Sequence, residues 1–206
     1  MTKTKLLIAD DHTLVRMGLT ALLNMQKDMS VIGQAKNGAE AVTETLRLRP
    51  DIVIMDLIMP VKDGIAATSE IRAALPDAKI ILLTTYTTSD GIMRALDSGA
   101  VGAVFKSDAN DELLTAIRAV TDGRKFISPA IRRQFKSDPP ADPLSPRQTD
   151  ILRCLVEGKS NTEIAKKLGI SPTVVRDHTS IIFEKLGVTN RIEAVAAALR
   201  KQLLKI

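Results

Sequence analysis

Aromatic residues and cysteine are scarce in this sequence. Its 206 residues include no tryptophan, one tyrosine, four phenylalanines and a single cysteine, Cys154. One cysteine excludes a disulfide within the chain and a metal site made of several thiolates. Since 45% of the residues are nevertheless apolar, an aliphatic core can form, and the length fits one large domain or two small ones.

Long apolar runs are also missing. The sequence has no stretch near the roughly 20 consecutive apolar residues that a membrane-spanning helix needs. Its first five residues lead into only a short apolar strand, not into the apolar segment of a secretion signal. We therefore expect a cytoplasmic protein that makes no contact with a membrane.

Charge is divided unevenly along the chain. Residues 1–122 contain 13 basic and 16 acidic side chains, whereas residues 144–206 contain 11 basic and 6 acidic ones. An acidic first part and a basic last part indicate two domains, the second of which could face nucleic acid. A basic surface that is merely solvated explains the charge equally well, so charge alone does not decide.

Short apolar runs and segments of helical period alternate through the first 122 residues. This alternation predicts a parallel sheet with helices on both faces, and right-handed crossovers make it a doubly wound α/β domain of five strands. The predicted strands are residues 6–9, 31–35, 52–55, 80–83 and 101–105. The predicted helices are about residues 13–25, 37–48, 64–74, 89–98 and 110–121.

The last part of the chain is helical throughout. It follows a segment in which Ser128-Pro129 suits the start of a short helix through Phe135. A proline-rich run comes next, at residues 137–143, which we interpret as part of an extended linker.

Four segments with capping residues predict a four-helix domain. Capping boxes are predicted to start at Ser145 and Ser160, and Asn190 begins a similar pattern. A tight turn at residues 168–171 joins the second helix to the third as in a helix-turn-helix. The predicted α/β domain, linker and all-α domain are residues 1–122, 123–143 and 144–206.

Polar residues follow four of the predicted strands. The carboxyl ends of the strands of a doubly wound sheet meet at one edge, where ligands bind. Three carboxylates gathered there repel one another, and Mg²⁺ suits a few oxygen ligands supplemented by water. With a nearby ammonium group, such a site is equipped for phosphoryl transfer to a carboxylate. The residues are Asp10, Asp11, Asp56, Thr84 and Lys106.

Two other interpretations of these residues carry less weight. Taken singly, an aspartate at a strand end most often caps the next helix, and a lone lysine is most often a surface residue. An aspartyl nucleophile also serves Mg²⁺-dependent phosphatases of the haloacid-dehalogenase type, which need a second acid two residues later. This chain has Ile58 at that position, so we do not expect an enzyme.

Residues 1–122 resemble the receiver domain of two-component response regulators. The matching features are Asp10-Asp11, Asp56 followed by Met59-Pro60 and Asp63-Gly64, Thr84, and Lys106 after Gly102. The resemblance implies the flavodoxin-like strand order 2-1-3-4-5 and a sensor histidine kinase that phosphorylates Asp56. It also implies that Asp11, Asp56 and the Ile58 carbonyl bind Mg²⁺ with help from Asp10, while Thr84 and Lys106 bind the phosphoryl oxygens.

One position departs from the pattern of this family. Members usually carry an aromatic residue three positions before the lysine, and its inward swing reports phosphorylation, but this chain has Ala103 there. Tyr86 is the nearest aromatic residue that could substitute, although a partly exposed loop tyrosine is the simpler interpretation. Ile58 and Tyr86 flank the position from which water attacks, so we hypothesise that they slow the loss of phosphate.

Residues 144–206 resemble the LuxR-type helix-turn-helix of the NarL/FixJ class. The resemblance implies that the third helix enters the major groove of double-stranded DNA and that the active protein is a homodimer on a two-fold site. The residues that carry it are Leu144-Ser145-Pro146-Arg147, Gly158-Lys159-Ser160-Asn161, Glu163-Ile164-Ala165, Leu168-Gly169-Ile170-Ser171, Val175, His178, Lys185-Leu186-Gly187-Val188, Asn190-Arg191 and Glu193-Ala194-Val195.

Helical period divides the third helix into a core face and a DNA face. Arg176 suits guanine, and Asp177 suits the amino group of cytosine. The core face is predicted to hold Val175, Thr179, Ile182 and Leu186, and the DNA face Thr173, Arg176, Asp177, Ser180 and Glu184. The residues predicted to bind phosphates without reading sequence are Lys159, Lys166, Lys167, Lys185 and Arg191.

The fourth helix carries an apolar stripe. Such a stripe is usually core, but in this family the corresponding helix often pairs with its twin, so we predict a two-fold dimer interface there. The stripe consists of Ile192, Ala196, Leu199 and Leu203.

Together these features predict a transcription regulator that phosphorylation controls. Two alternatives stay open. The first is a regulator that works without phosphate, which Ala103 and the acidic residues of the third helix both suggest. The second is a domain kept for protein contacts, because the third helix has Val174 and Ile181 where Thr and Asn are usual.

Overall fold

The computed structural model describes residues 3–85, 88–108, 111–201 and 203–204 of the chain. This part of the chain forms two compact units, the first with its last residue at Asp138 and the second made mainly of residues from Pro139 onward. The first unit is α/β and the second is helical. Among the described residues, no helix is long and apolar enough to cross a membrane.

The order of the elements follows the predicted alternation. The strands are β1 (Thr4–Ala9), β2 (Met29–Ala35), β3 (Ile52–Met55), β4 (Lys79–Thr84), β5 (Gly102–Phe105) and β6 (Phe126–Ile127). The helices of the first unit are α1 (Thr13–Asn24), α2 (Gly38–Leu48), α3 (Gly64–Ala74), α4 (Ser89–Asp97), α5 (Asp111–Thr121) and α6 (Pro129–Ser137). The helices of the second unit are α7 (Pro146–Val156), α8 (Asn161–Leu168), α9 (Pro172–Leu186) and α10 (Arg191–Arg200).

All strands of the first unit belong to one parallel sheet of order β2-β1-β3-β4-β5-β6. The predicted order 2-1-3-4-5 is therefore confirmed, and a sixth strand extends it at one edge. This strand pairs with Gly102 and Ala103 of β5. At two residues, β6 is too short to produce a recognisable pattern in the sequence.

Alternate residues of each strand point to opposite faces of the sheet, and both faces are buried. Ile8, Ile54 and Leu83 pack beneath α1 and α5 on one face. Leu7 and Leu82 pack on the other face, beneath α2, α3, α4 and α6. This two-sided burial explains why the strands are apolar runs and not alternating sequences, as in other doubly wound domains.

Helix α6 confirms the short helix predicted to start at Ser128-Pro129 and extends it to Ser137, within the predicted linker. The hydroxyl group of Ser128 accepts a hydrogen bond from the N–H of Ile131 and so caps the helix. Ile131 is fully buried in the same core cluster as Ala103. Residues 126–137 are thus packed onto the edge of the α/β unit, beside β5.

The second unit has its own aliphatic core, to which all four of its helices contribute. The predicted capping boxes at Ser145 and Ser160 are both formed. Asn190 caps α10, but Glu193 accepts a hydrogen bond from the N–H of Thr189 instead of closing a box with Asn190. Helices α8 and α9 and the short turn between them form the helix-turn-helix.

Candidate functional site

The sheet register brings the predicted acidic residues together. Ala9 and Met55 are register partners on β1 and β3, so Asp10 and Asp56 leave the sheet at the same level. The N–H of Asp56 donates to the carbonyl of Ala9 at 2.8 Å, which fixes the spacing between the two strand ends. Both carboxylate side chains are buried, and buried carboxylates need a cation or several donors.

Lys106 supplies a cation between the two buried carboxylates. Its Nζ lies 2.6 Å from Oδ2 of Asp10 and 2.6 Å from Oδ2 of Asp56. Burial would lower the pKa of Lys106, but its hydrogen bonds and attraction to both aspartates outweigh burial and raise it. The pKa of Asp56 is raised, chiefly by burial and also by the charge of Asp10, against the opposing effect of Lys106.

Asp11 and His12 complete the cluster at its exposed side. The Nδ1 atom of His12 lies 2.8 Å from Oδ1 of Asp11 and 3.3 Å from Oδ1 of Asp10. One ligand atom from each of Asp10, Asp11, His12 and Asp56 lies within 4.8 Å of all the others, a spacing that suits a single metal ion. His12 was not among the residues predicted for this site, although its position directly after the aspartate pair was a signal for it.

Thr84 ends β4 beside this cluster. The last residue of β4 is level with Phe105, the residue before Lys106. The hydroxyl group of Thr84 is fully buried, and it has no hydrogen-bond partner among the residues that the structure describes. Because a buried hydroxyl normally has a partner, Thr84 is suited to donate to a bound ligand.

The remaining residues predicted near the site lie in three different settings. Ile58 is 59% exposed, and its N–H donates to Oδ1 of Asp56 at 3.4 Å. Ala103 is fully buried in β5, between Leu82 of β4 and Ile127 of β6. Tyr86 lies outside the described residues, so its predicted role as a switch stays a prediction.

The loop after Asp56 has a tight backbone. Val61 has a φ of +68°, and the N–H of Lys62 donates to the carbonyl of Pro60 at 2.7 Å, which closes a three-residue turn around Val61. Val61 is a β-branched residue, for which positive φ is strained, and its side chain is 88% exposed and gains no packing in return. The strain is thus stored in the loop that carries the predicted ligand Ile58.

We expect the substitution Val61→Gly to stabilise the protein by about 1 kcal/mol. It removes backbone strain of about 1–3 kcal/mol, and the greater freedom of glycine in the unfolded chain offsets ~0.5–1 kcal/mol of that gain. Urea unfolding measures the change in the free energy of unfolding. The variant Val61→Ala keeps a Cβ atom at positive φ and should gain less, so equal stabilities of the two variants would contradict this account.

Helix α9 has the two faces that its sequence predicts. Val175, Thr179, Ile182 and Leu186 are buried in the core of the second unit. The residues predicted to face DNA are all exposed, namely Thr173, Arg176, Asp177, Ser180 and Glu184. The predicted DNA face is therefore solvent-accessible along the length of the helix.

The basic residues predicted to bind phosphates fall into two groups. Lys159 and Lys167 both pair with Glu157 on the surface, a weak type of ion pair that a phosphate group can replace. In contrast, Lys185 donates to the carbonyl of Pro143 at 2.6 Å, and Arg191 donates to that of Leu155 at 3.0 Å. These two side chains hold segments of the domain together, which the sequence alone did not reveal. The fifth, Lys166, is exposed.

The predicted dimer stripe is largely exposed. Ile192 is 82% exposed and Leu199 50% exposed, and Ala196 is exposed as well. Helix α10 ends at Arg200, so Leu203 lies beyond the helix and packs partly against the core. The residues that α10 buries in its own unit are instead Ala194, Ala197 and Ala198.

Comparisons with known proteins match both parts of the chain. The family model of the response regulator receiver domain matches residues 6–118, and that of the luxR family of bacterial regulatory proteins matches residues 142–198. The oxygen regulatory protein NreC of Staphylococcus carnosus is 36% identical over 214 residues, which cover 97% of this chain and 99% of that protein. The transcriptional regulatory protein LiaR of Bacillus subtilis is 36% identical over 208 residues, with the same coverage of each chain.

Solved structures are similar along nearly the whole chain. The RcsB response regulator of Salmonella typhimurium has a TM-score of 0.73 and 30% identity, covering 94% of this chain and 98% of its own. A structure of an RcsB–DNA complex has a TM-score of 0.72 and 29% identity, covering 97% of this chain and 99% of its own. The same proteins therefore match the α/β unit and the helical unit together.

Proposed function

The chain belongs to the LuxR-type response regulators of the NarL/FixJ family, which are phosphorylation-regulated DNA-binding transcription regulators, and we propose that Asp56 is its phosphoryl acceptor. The observation that carries the proposal is the cluster in which Lys106 lies 2.6 Å from both Asp10 and Asp56. We propose that residues 1–122 are the receiver domain, residues 123–143 the linker and residues 144–206 the DNA-binding domain, with residues 126–137 of the linker packed on the receiver as β6 and α6.

Phosphoryl transfer to Asp56 is a displacement at phosphorus. One carboxylate oxygen of Asp56 attacks the phosphorus of a phosphohistidine on a sensor histidine kinase, the P–N bond breaks, and the imidazole keeps the bonding electrons and takes up a proton. Lys106 and the unpartnered hydroxyl of Thr84 then bind the phosphoryl oxygens. The product is an acyl phosphate on Asp56.

The donor set of the cluster fits Mg²⁺. The carboxylates of Asp10, Asp11 and Asp56 approach one another closely enough to share one ion, and oxygen ligands are those that Mg²⁺ prefers. We propose that these three residues hold the cation together with the carbonyl group of Ile58. A bound Mg²⁺ would neutralise charge that develops on the phosphoryl oxygens.

The response to phosphate begins at two neighbouring strand ends. Thr84 ends β4 and Lys106 follows β5, so these two residues lie at the two ends of the segment that contains α4. A phosphoryl group on Asp56 that binds both residues would therefore pull both ends of this segment toward Asp56. A segment held at both ends by a ligand is a suitable two-state element. We propose that this segment transmits phosphorylation to DNA binding.

Selection from random duplex DNA tests the proposed function. Full-length protein is incubated with the library in two arms, one with acetyl phosphate and Mg²⁺ and one with neither. We expect a two-fold motif that is enriched at least tenfold more strongly in the phosphorylated arm. Equal enrichment in both arms would contradict control by phosphate, and no motif in either arm would contradict DNA reading.

One alternative has a specific observation in its favour. Ala103 is buried where the family usually has an aromatic switch, and β6 and α6 pack beside it. A regulator that binds DNA without phosphate would not need that switch. The selection experiment separates the two functions, because this alternative requires the same motif at the same strength in both arms.

DNA contacts are proposed for the exposed face of α9 and for surface cations around it. Arg176 is suited to read guanine, and Lys159, Lys166 and Lys167 are suited to bind phosphates. Lys185 and Arg191 were predicted to bind phosphates as well, and we propose that they do so while keeping their bonds to backbone carbonyls. Thr173, Asp177, Ser180 and Glu184 complete the proposed surface.

A homodimer is proposed to form through α10. Ile192, Ala196 and Leu199 are exposed on α10, and we propose that a second copy of the chain covers them with its own. Leu203, which packs partly against the core after the helix, is proposed to border this contact. A two-fold dimer would place two copies of α9 on the two halves of a DNA site.

The substitution Ile192→Asp is expected to weaken dimerisation of the phosphorylated protein at least tenfold. It places two charges against each other across the two-fold axis, in a patch that must lose water on association. Sedimentation equilibrium with acetyl phosphate and Mg²⁺ measures the dissociation constant. Thr162→Asp, on the exposed start of α8, adds the same charge elsewhere, so equal weakening by both variants would speak against this interface.

Two further predictions stay proposals. The family is one of transcription regulators, and we propose no enzymatic turnover for this member, because Ile58 occupies the position where a phosphatase of similar chemistry needs an acid. We also propose that the protein acts in the cytoplasm, where it would meet both DNA and a sensor histidine kinase.

A further inference from the structure

One stripe of α9 contains no basic residue. Val174, Asp177, Ile181 and Glu184 recur at helical spacing along its exposed side. Val174 is 38% exposed and Ile181 40% exposed, whereas the opposite face of the helix is buried. Single exposed apolar residues are common on proteins, but here two share one side of the helix that is proposed to enter DNA.

This stripe cannot bind the DNA backbone. Phosphate groups would repel Asp177 and Glu184, and the aliphatic side chains of Val174 and Ile181 have no group to offer them. The base edges of the major groove, in contrast, present both types of partner that the stripe needs. The C5 methyl group of thymine is apolar, and the amino groups of adenine and cytosine are donors that a carboxylate can accept from.

We propose that Val174 and Ile181 read thymine through its C5 methyl group, with Asp177 between them accepting a hydrogen bond from an amino group of adenine or cytosine. The inference rests on the proposed DNA binding and specifies which bases the helix selects. Seven residues of helix span about 10 Å, which corresponds to about three base steps at about 3.4 Å each. The two thymines are therefore expected about three base pairs apart.

Uracil tests this proposal directly, because it pairs like thymine and lacks only the methyl group. The DNA selection is run on full-length protein with acetyl phosphate and Mg²⁺, using one library that contains thymine and one in which uracil replaces all thymine. Affinity is then measured for the selected duplex with thymine or uracil at each position. We expect each of two thymines to contribute about fourfold to affinity, and both together ~15-fold.

Variants of the chain connect that loss to the two side chains. The double variant Val174→Ala, Ile181→Ala is expected to bind the thymine and uracil duplexes within about twofold of each other. Ser180→Ala, on the same helix, is the control: it should lower affinity for both duplexes alike and keep the difference between them. Both residues of the double variant are exposed, so the fold should persist, and thermal unfolding checks this.

The outcomes separate this proposal from the one on which it rests. A motif that wild-type protein binds equally with thymine and uracil would overturn the proposal and leave DNA binding intact. A thymine preference that survives in the double variant would overturn the assignment to Val174 and Ile181. No motif in either library would overturn DNA binding and this proposal together, and would point to a protein partner for the exposed stripe.

Discussion

Replacing Asp56 by asparagine is expected to abolish both uptake of phosphate and the phosphate-dependent gain in DNA binding. The amide of asparagine cannot form the acyl phosphate, whereas its size and shape preserve the packing around the strand end. We expect incorporation of phosphate from radioactive acetyl phosphate to fall at least a hundredfold. In the DNA selection, the two arms should become indistinguishable for this variant.

A control separates loss of the acceptor from a general loss of acidic charge. Asp77 lies in an exposed turn between α3 and β4, away from the sheet edge that carries Asp56. The variant Asp77→Asn should incorporate phosphate like the wild-type protein. If Asp56→Asn retained phosphate-dependent DNA binding, the acceptor would have to be another residue and the proposed mechanism would be wrong.

The sheet could be predicted because its burial on both sides leaves a simple signal. Strands such as β3 must be apolar at every position, and the helices between them keep a period of 3.6 residues. The positions at which the strands end can then be deduced, so the sequence was enough to place Asp10, Asp56 and Thr84 at one edge of the sheet. What the sequence could not give was the distance from Lys106 to each acid, because that depends on rotamers and on the local backbone.

Short elements and exposed surfaces were harder to predict. Strand β6 depends on hydrogen bonds to β5 that only the folded sheet offers. Helix α6 has a local signal in Ser128-Pro129, but its packing through the buried Ile131 has none. The charges in the sequence likewise predict a basic surface, but they do not show which lysine and arginine side chains are hydrogen-bonded within the protein. Lys185 and Arg191 bond to carbonyls that lie 42 and 36 residues away in the chain, a pairing with no local signature.

The fold leaves no room for a Cβ atom at Gly64, where the loop after Asp56 meets α3. A Cβ atom on Gly64 would lie 2.0 Å from the carbonyl oxygen of Asp56, far inside contact distance. The N–H of Gly64 also donates to the carbonyl of Leu57 at 2.9 Å, so α3 starts directly against the strand end that carries the acceptor. The backbone of the site therefore occupies the space that a side chain at position 64 would need.

The substitution Gly64→Ala is therefore expected to destabilise the protein by about 3 kcal/mol, the upper range for forcing an extra carbon into a packed region. Since the clash is with the backbone of Asp56, uptake of phosphate should also fall at least tenfold in the protein that remains folded. Urea unfolding and labelling with acetyl phosphate measure the two effects.

Gly18→Ala is the matched control, because nothing lies within 4 Å of its added Cβ atom and alanine favours a helix interior by ~0.5–1 kcal/mol. It should stabilise α1 and leave phosphorylation unchanged, whereas a Gly64→Ala variant of wild-type stability would mean that the start of α3 can move away from Asp56.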